Sequence, residues 1–88
     1  MAHSAQAKKR IRQNEKRRLI NMGRRNEIRT LTKRYISLVE EKDAAGAKEI
    51  FAQLTSRLDK AARKNLYHKN NVARKKSRMA QLLLTIQA

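Results

Sequence analysis

Residues 8–34 read KKRIRQNEKRRLINMGRRNEIRTLTKR, and the spacing within them decides how the chain can fold. The stretch carries Lys8, Lys9, Arg10, Arg12, Lys16, Arg17, Arg18, Arg24, Arg25, Arg29, Lys33 and Arg34 against only Glu15 and Glu27. It reads as one long helix with positive charge around most of its circumference. Positions seven apart lie on nearly the same helix face. Stepping by seven from Arg10 gives Arg17, Arg24, Leu31 and Leu38; from Asn14 it gives Asn21, Ile28 and Tyr35. That face is basic and amide-bearing up to Arg24 and apolar from Ile28 onward. A seam of this kind packs on other helices only where it is apolar. The first half of the helix therefore has no partner within the chain, and its charge calls for an anionic one outside it.

The rest of the composition narrows what that partner is. Eighty-eight residues make one small domain, near the size at which a single core is only marginally sufficient. Lys and Arg number 23 against 7 Asp and Glu, a net charge of +16. Residues 1–34 hold twelve basic and two acidic groups, residues 35–64 six and five, residues 65–88 five and none. The middle is balanced and the flanks are not. Repulsion on this scale opposes compaction, so a bound polyanion is expected to stabilise the fold. There is no cysteine, which excludes a disulfide framework and a thiolate metal site. Apolar runs extend for only a few residues, too short for a transmembrane helix, and the N-terminus lacks the apolar core of a secretory signal. A mitochondrial presequence is also Arg-rich, but here the basic stretch is continuous with the fold. The expectation is a soluble, unprocessed intracellular protein.

Proline is absent and glycine occurs twice, so helix is rarely interrupted. The pattern predicts an all-α fold: a three-helix bundle with a long, basic, protruding first helix. Residues 1–7 are expected to form a flexible arm, and residues 8–88 a single domain with helices over about 5–41, 44–64 and 69–86. Ser4 is the candidate N-cap of the first helix, whose length would be roughly 55 Å. Gly23 weakens it by about 1 kcal/mol relative to alanine, either tolerated or kept for the close approach of a partner backbone. Asp43 is positioned to cap the second helix, whose apolar residues Ala47, Ile50, Phe51, Leu54, Leu58, Ala61 and Ala62 recur at three- and four-residue spacing. Asn65 suits a left-handed C-cap. Val72, Met79, Leu82, Leu83 and Ile86 supply the inner face of the third helix; Ile28, Leu31, Tyr35, Leu38 and Val39 supply that of the first. Short connections make successive helices antiparallel neighbours. The far end of the second helix, with Tyr67, His68 and Lys69, is then expected beside Ile20 to Arg24.

Catalysis has little to stand on. His3 lies in the arm, His68 has no evident carboxylate partner, and Glu40 and Glu41 read as solvated helix-end charges. No phosphate loop, metal-ligand pair or nucleophile motif is present, and no cofactor or metal is implied. Nucleic-acid binding has a direct rationale, because lysine and arginine displace condensed counterions and arginine forks hold phosphates bidentately. Asn14, Asn21, Asn70 and Asn71 could hydrogen-bond ribose or base edges. Only Tyr35, Phe51 and Tyr67 are aromatic, and the first two fall on apolar faces. A stacking platform for single strands is therefore not expected, and recognition should be of folded RNA shape or duplex backbone. Asn70, Ala73, Ser77 and Arg78 match part of a leucine-zipper basic region, but ten residues beyond Arg78 leave no room for heptads. A membrane surface fits poorly, because no wide apolar face opposes the charges before Ile28. A DNA-compacting protein and a module for an acidic protein use the same charges, though the latter leaves the asparagines among the arginines unexplained.

Ala7-Lys8-Lys9-Arg10, Glu15-Lys16-Arg17-Arg18, Asn21 with Arg24-Arg25, Arg29-Thr30, Asp59-Lys60-Ala61-Ala62, and His68-Lys69-Asn70 followed by Ala73-Arg74-Lys75-Lys76-Ser77-Arg78 form a specific series in this order and spacing. By these pieces nearly the whole chain resembles the bacterial small-subunit ribosomal protein S20 family. The resemblance implies a three-helix bundle with a long first helix. It implies a monomer on the cytoplasmic ribosome, bound directly to small-subunit (16S) ribosomal RNA as a structural and early assembly protein, with other ribosomal components as further contacts. The RNA-binding residues expected are Lys8, Lys9, Arg10, Arg12, Asn14, Lys16, Arg17, Arg18, Asn21, Arg24, Arg25 and Arg29 on the first helix. In the second connection and on the third helix they are His68, Lys69, Asn70, Arg74, Lys75, Lys76 and Arg78. Asn65 stands where the family usually has glycine, and the N-terminal arm also departs slightly from the usual pattern.

Overall fold

The computed structural model describes residues 4–87. Three helices account for nearly all of them: α1 (Ala5–Glu40), α2 (Ala44–Arg63) and α3 (Lys69–Gln87). No strand occurs among the described residues, so the fold is the expected all-α bundle. Residues 1–3 of the expected arm, His3 included, lie outside the described range, while residues 5–7 are the first turn of α1. Ser4 caps that turn, its Oγ accepting from the Ala7 N–H at 3.2 Å.

The two connections are built alike. At the end of α1, the Lys42 N–H donates to the Val39 carbonyl and the Asp43 N–H to the Leu38 carbonyl, each at 3.0 Å. At the end of α2, the Asn65 N–H reaches the Ala62 carbonyl at 3.2 Å and the Leu66 N–H the Ala61 carbonyl at 2.9 Å. Both are Schellman closures, which need a left-handed residue just past the helix. Lys42 and Asn65 supply it, with φ of 59° and 58°. Asp43 then serves twice. Its backbone closes α1, and its Oδ1 accepts from the Gly46 N–H at 3.0 Å to cap α2. A Cβ on Gly46 would lie 2.6 Å from Asp43 Oδ2 and 3.2 Å from Leu38 Cδ2, so glycine there makes room for the capping carboxylate.

α2 is the central helix and packs on both neighbours, whereas α1 and α3 touch each other only slightly. The core is Ile28 and Tyr35 of α1, Ala47, Ile50, Leu54, Leu58 and Ala61 of α2, and Val72, Met79 and Leu83 of α3. Leu31, Leu38, Val39, Phe51, Ala62, Leu82 and Ile86 pack around it as expected, and Leu66 and Tyr67 join them from the second connection. Tyr35 is fully buried: its ring lies 5.9 Å from that of Phe51 and its hydroxyl donates to the Met79 carbonyl.

One expected juxtaposition is corrected. Tyr67 sits beside Ile28, Arg29, Thr32 and Lys33, further along α1 than Ile20 to Arg24. The Schellman turn is the reason. It folds Leu66 back onto Ala61 and into the core, so the connection descends along the bundle instead of extending past it. Lys64 takes the place next to Ile20, Asn21 and Arg24.

Candidate nucleic-acid interface

Every residue from Lys8 to Ile20 is exposed; partial cover begins at Asn21 and Arg24, and Ile28 is the first buried residue of α1. The bundle therefore starts where the heptad face turns apolar, and the half-helix before it projects. The radius of gyration is 17.6 Å and the longest dimension 64 Å. A compact chain of this length would have a radius near ~12 Å.

The projecting part displays Lys8, Lys9, Arg10, Arg12, Asn14, Lys16, Arg17 and Arg18. Arg17 with Arg24, and Arg18 with Arg25, make two parallel rows seven residues apart. The acid among them, Glu15, is matched by Arg18 at 2.7 Å. Their hydrogen bond and charge hold the Glu15 carboxyl below its ordinary value and the Arg18 guanidinium above its own. Both side chains are solvated, so this pair shapes local charge rather than stability.

A second group forms where α3 passes α1. Arg29, Lys33 and Lys75 line one recess of about 230 Å³ together with Tyr67, and the Lys75 ammonium lies 4.4 Å over the Tyr67 ring. That contact holds Lys75 in place by cation–π attraction without neutralising it. Arg78 lines a neighbouring recess with Thr32 and Ile36. Lys69, Asn70 and Arg74 are exposed near the start of α3.

Two expected residues have internal duties. The Lys76 Nζ contacts Asp59 Oδ1 at 2.9 Å, a half-buried tie between α2 and α3 that offsets its charge. His68 caps α3: its Nδ1 accepts from the Asn70 N–H at 3.1 Å and its carbonyl from the Val72 N–H. Accepting at Nδ1 places the neutral ring's proton on Nε2. Conversely, Lys33, Arg57, Lys60 and Lys64 join the basic surface although the heptad argument did not single them out. A usable signal existed for α2, because Arg57, Lys60 and Lys64 recur at three- and four-residue spacing beside its apolar row.

Among the described residues, no three His, Asp or Glu side chains come together as metal ligands. No described helix is long and apolar enough to cross a membrane. The aromatic side chains are also occupied, Tyr35 and Phe51 by packing and Tyr67 by Lys75.

A family model described as Ribosomal protein S20 matches residues 2–83. The small ribosomal subunit protein bS20 of Dichelobacter nodosus is 48% identical over 79 residues, 90% of each chain. The proteins of that name from Geobacillus kaustophilus and Coxiella burnetii are 46% and 41% identical over 88 residues, all of this chain and 99% and 98% of theirs. The chain belongs to the ribosomal protein S20 family, a family of structural proteins of the small ribosomal subunit and not of enzymes.

Proposed function

We propose that this protein binds 16S ribosomal RNA directly and supports its folding early in small-subunit assembly, as a monomer on the cytoplasmic ribosome. The observation that carries the reading is the bare basic half of α1. Seven cations between Lys8 and Arg18 stand on a half-helix that no other described residue covers.

A helix of this kind is built to lie between RNA helices. Each cation near a phosphate releases condensed counterions, so packing two RNA backbones against it relieves their mutual repulsion. Arginine forks at positions 17, 18, 24 and 25 can also hold phosphate oxygens bidentately, which fixes orientation. Asn14 and Asn21 add neutral hydrogen bonding on the same face. With no free aromatic platform, sequence is not read by stacking; shape and backbone are. On the α3 side, Arg29, Lys69, Asn70, Arg74, Lys75 and Arg78 would hold an adjacent strand, with His68 and Lys76 keeping that surface in place through their local contacts. The apolar seam from Ile28 onward positions the two sets.

Binding and folding thus reside in different residues of one helix. Replacing Arg17, Arg18, Arg24 and Arg25 together with alanine is expected to abolish stable binding to small-subunit RNA near physiological salt. The bundle's melting midpoint should stay the same or rise, because like charges have been removed. Retained RNA affinity, or a clear fall in the midpoint, contradicts the division.

A further inference from the structure

The α1–α2 seam carries a group of cations separate from those along α3. Arg57, Lys60 and Lys64 flank the buried Leu58 and Ala61 of α2. Facing them across the seam are Arg17, Asn21, Arg24 and Glu27 of α1, and the two sets line adjoining recesses of about 240 and 310 Å³ that share Arg24 and Lys64. At roughly 30 Å³ per water, each could hold a sugar–phosphate unit in place of several waters. Glu27 is the single acid lining either recess, and Arg57 already neutralises it at 2.9 Å. Arg17, Arg24, Lys60 and Lys64 have no ion-pair partner among the described residues.

A simpler account covers part of this. Cations in the last turn of a helix complement its dipole, and Lys60 and Arg63 occupy that turn of α2. The dipole of α2 does not explain why Arg24 of another helix lines the recess of Lys60, or why Arg17 and Arg24 both line that of Lys64. Nor does it explain why Arg24 is half-buried there among like charges. In the free protein that arrangement is unfavourable, and an anion seated between the helices reverses its sign.

We infer that the α1–α2 groove is a phosphate-binding cleft that grips a sugar–phosphate strand of the RNA. It lies on the opposite flank of Ile28 from the strand held along α3. The inference rests on the RNA-binding reading above and adds a second strand contact. α1 would then be embraced from both sides, with Arg17 and Arg24 shared between its projecting half and the cleft.

The test uses the full chain, small-subunit ribosomal RNA and a salt series. Lys60→Ala with Lys64→Ala should bind the RNA tenfold or more weaker and lower the logarithmic salt slope by about 2, one unit for each lost phosphate contact. Both side chains are exposed, and the dipole complement lost with Lys60 opposes the repulsion relieved, so circular dichroism should match the parent and the melting midpoint should shift little. Lys42→Asn with Lys48→Ala, at the opposite end of the bundle, removes the same charge and should bind like the parent. If the cleft variant keeps the parent's affinity and slope, or the distal variant loses as much, the cleft is overturned and direct RNA binding stands. If the parent itself prefers ribosomal RNA no more than bulk duplex DNA, both fall together.

Discussion

Tyr35 shows how much of the bundle rests on single side chains. It is fully buried on α1, packs against Phe51 of α2 and hydrogen-bonds the Met79 carbonyl of α3, so one residue ties all three helices. Tyr35→Phe keeps the ring and loses the bond, at a cost of about 1 kcal/mol. For a domain of this size the melting midpoint should then fall by roughly 4–8 °C. Burial also raises the Tyr35 phenol above its ordinary value of 10.0, so the fold favours the protonated form. Below pH ~10 this contribution is fully present; above it the unfolded chain ionises first and the contribution is lost toward the folded value. The stability gap between the parent and Tyr35→Phe should therefore narrow as pH rises past ~10 in denaturant titrations. A gap that stays constant contradicts this account of the buried hydroxyl. His68 and Lys76 are instructive for the opposite reason. Besides the RNA contacts expected of their residue types, each has a duty within the fold: one caps α3 and the other is tied to Asp59. Neither duty is legible in sequence, because it depends on cap geometry or on a partner seventeen residues away.

Among the elements, α2 was the easiest to read, since Ala47, Ile50, Phe51, Leu54, Leu58, Ala61 and Ala62 repeat at helical spacing and all seven are buried or half-buried. α1 was legible for the contrary reason: its apolar seam begins only at Ile28, and burial begins there too. The turns were partly legible. Asparagine tolerates the left-handed region and Asn65 adopts it, but lysine has no such preference, and Lys42 is placed there by the two bonds that Asp43 must make. The basic row on α2 is masked in the sequence, because five acidic residues keep the middle of the chain close to neutral. Gly23 is a different case. A Cβ at this position would meet nothing within 4 Å, so the protein's own packing does not require glycine. Gly23→Ala should stabilise α1 by about 0.5–1 kcal/mol. An unchanged or lower unfolding midpoint in chemical denaturation would mean that residues around 23 do not share in the bundle's cooperative unfolding.

At the scale of the molecule, the charge map and the shape coincide. The charge-balanced segment, residues 35–64, forms most of the core, and the projection is the strongly basic part of α1 before the bundle, whose residues from Lys8 to Ile20 are all exposed. A net charge of +16 on 88 residues leaves the free chain self-repelling, and the proposed RNA partner would relieve that repulsion. Charge alone would serve DNA equally well. The asparagines among the arginines, the fixed placement of Lys75 and the paired recesses on either flank of Ile28 argue for a shaped partner. Competitive binding of the full chain to small-subunit ribosomal RNA and to bulk duplex DNA, followed across a salt series, separates the two. Phosphate neutralisation alone gives a steep loss on both, roughly −0.9 in logarithmic slope per phosphate contacted on duplex DNA. The account predicts that affinity for the ribosomal RNA survives near physiological salt while DNA binding collapses; equal affinities falling together would make the protein a general polyanion binder and contradict it.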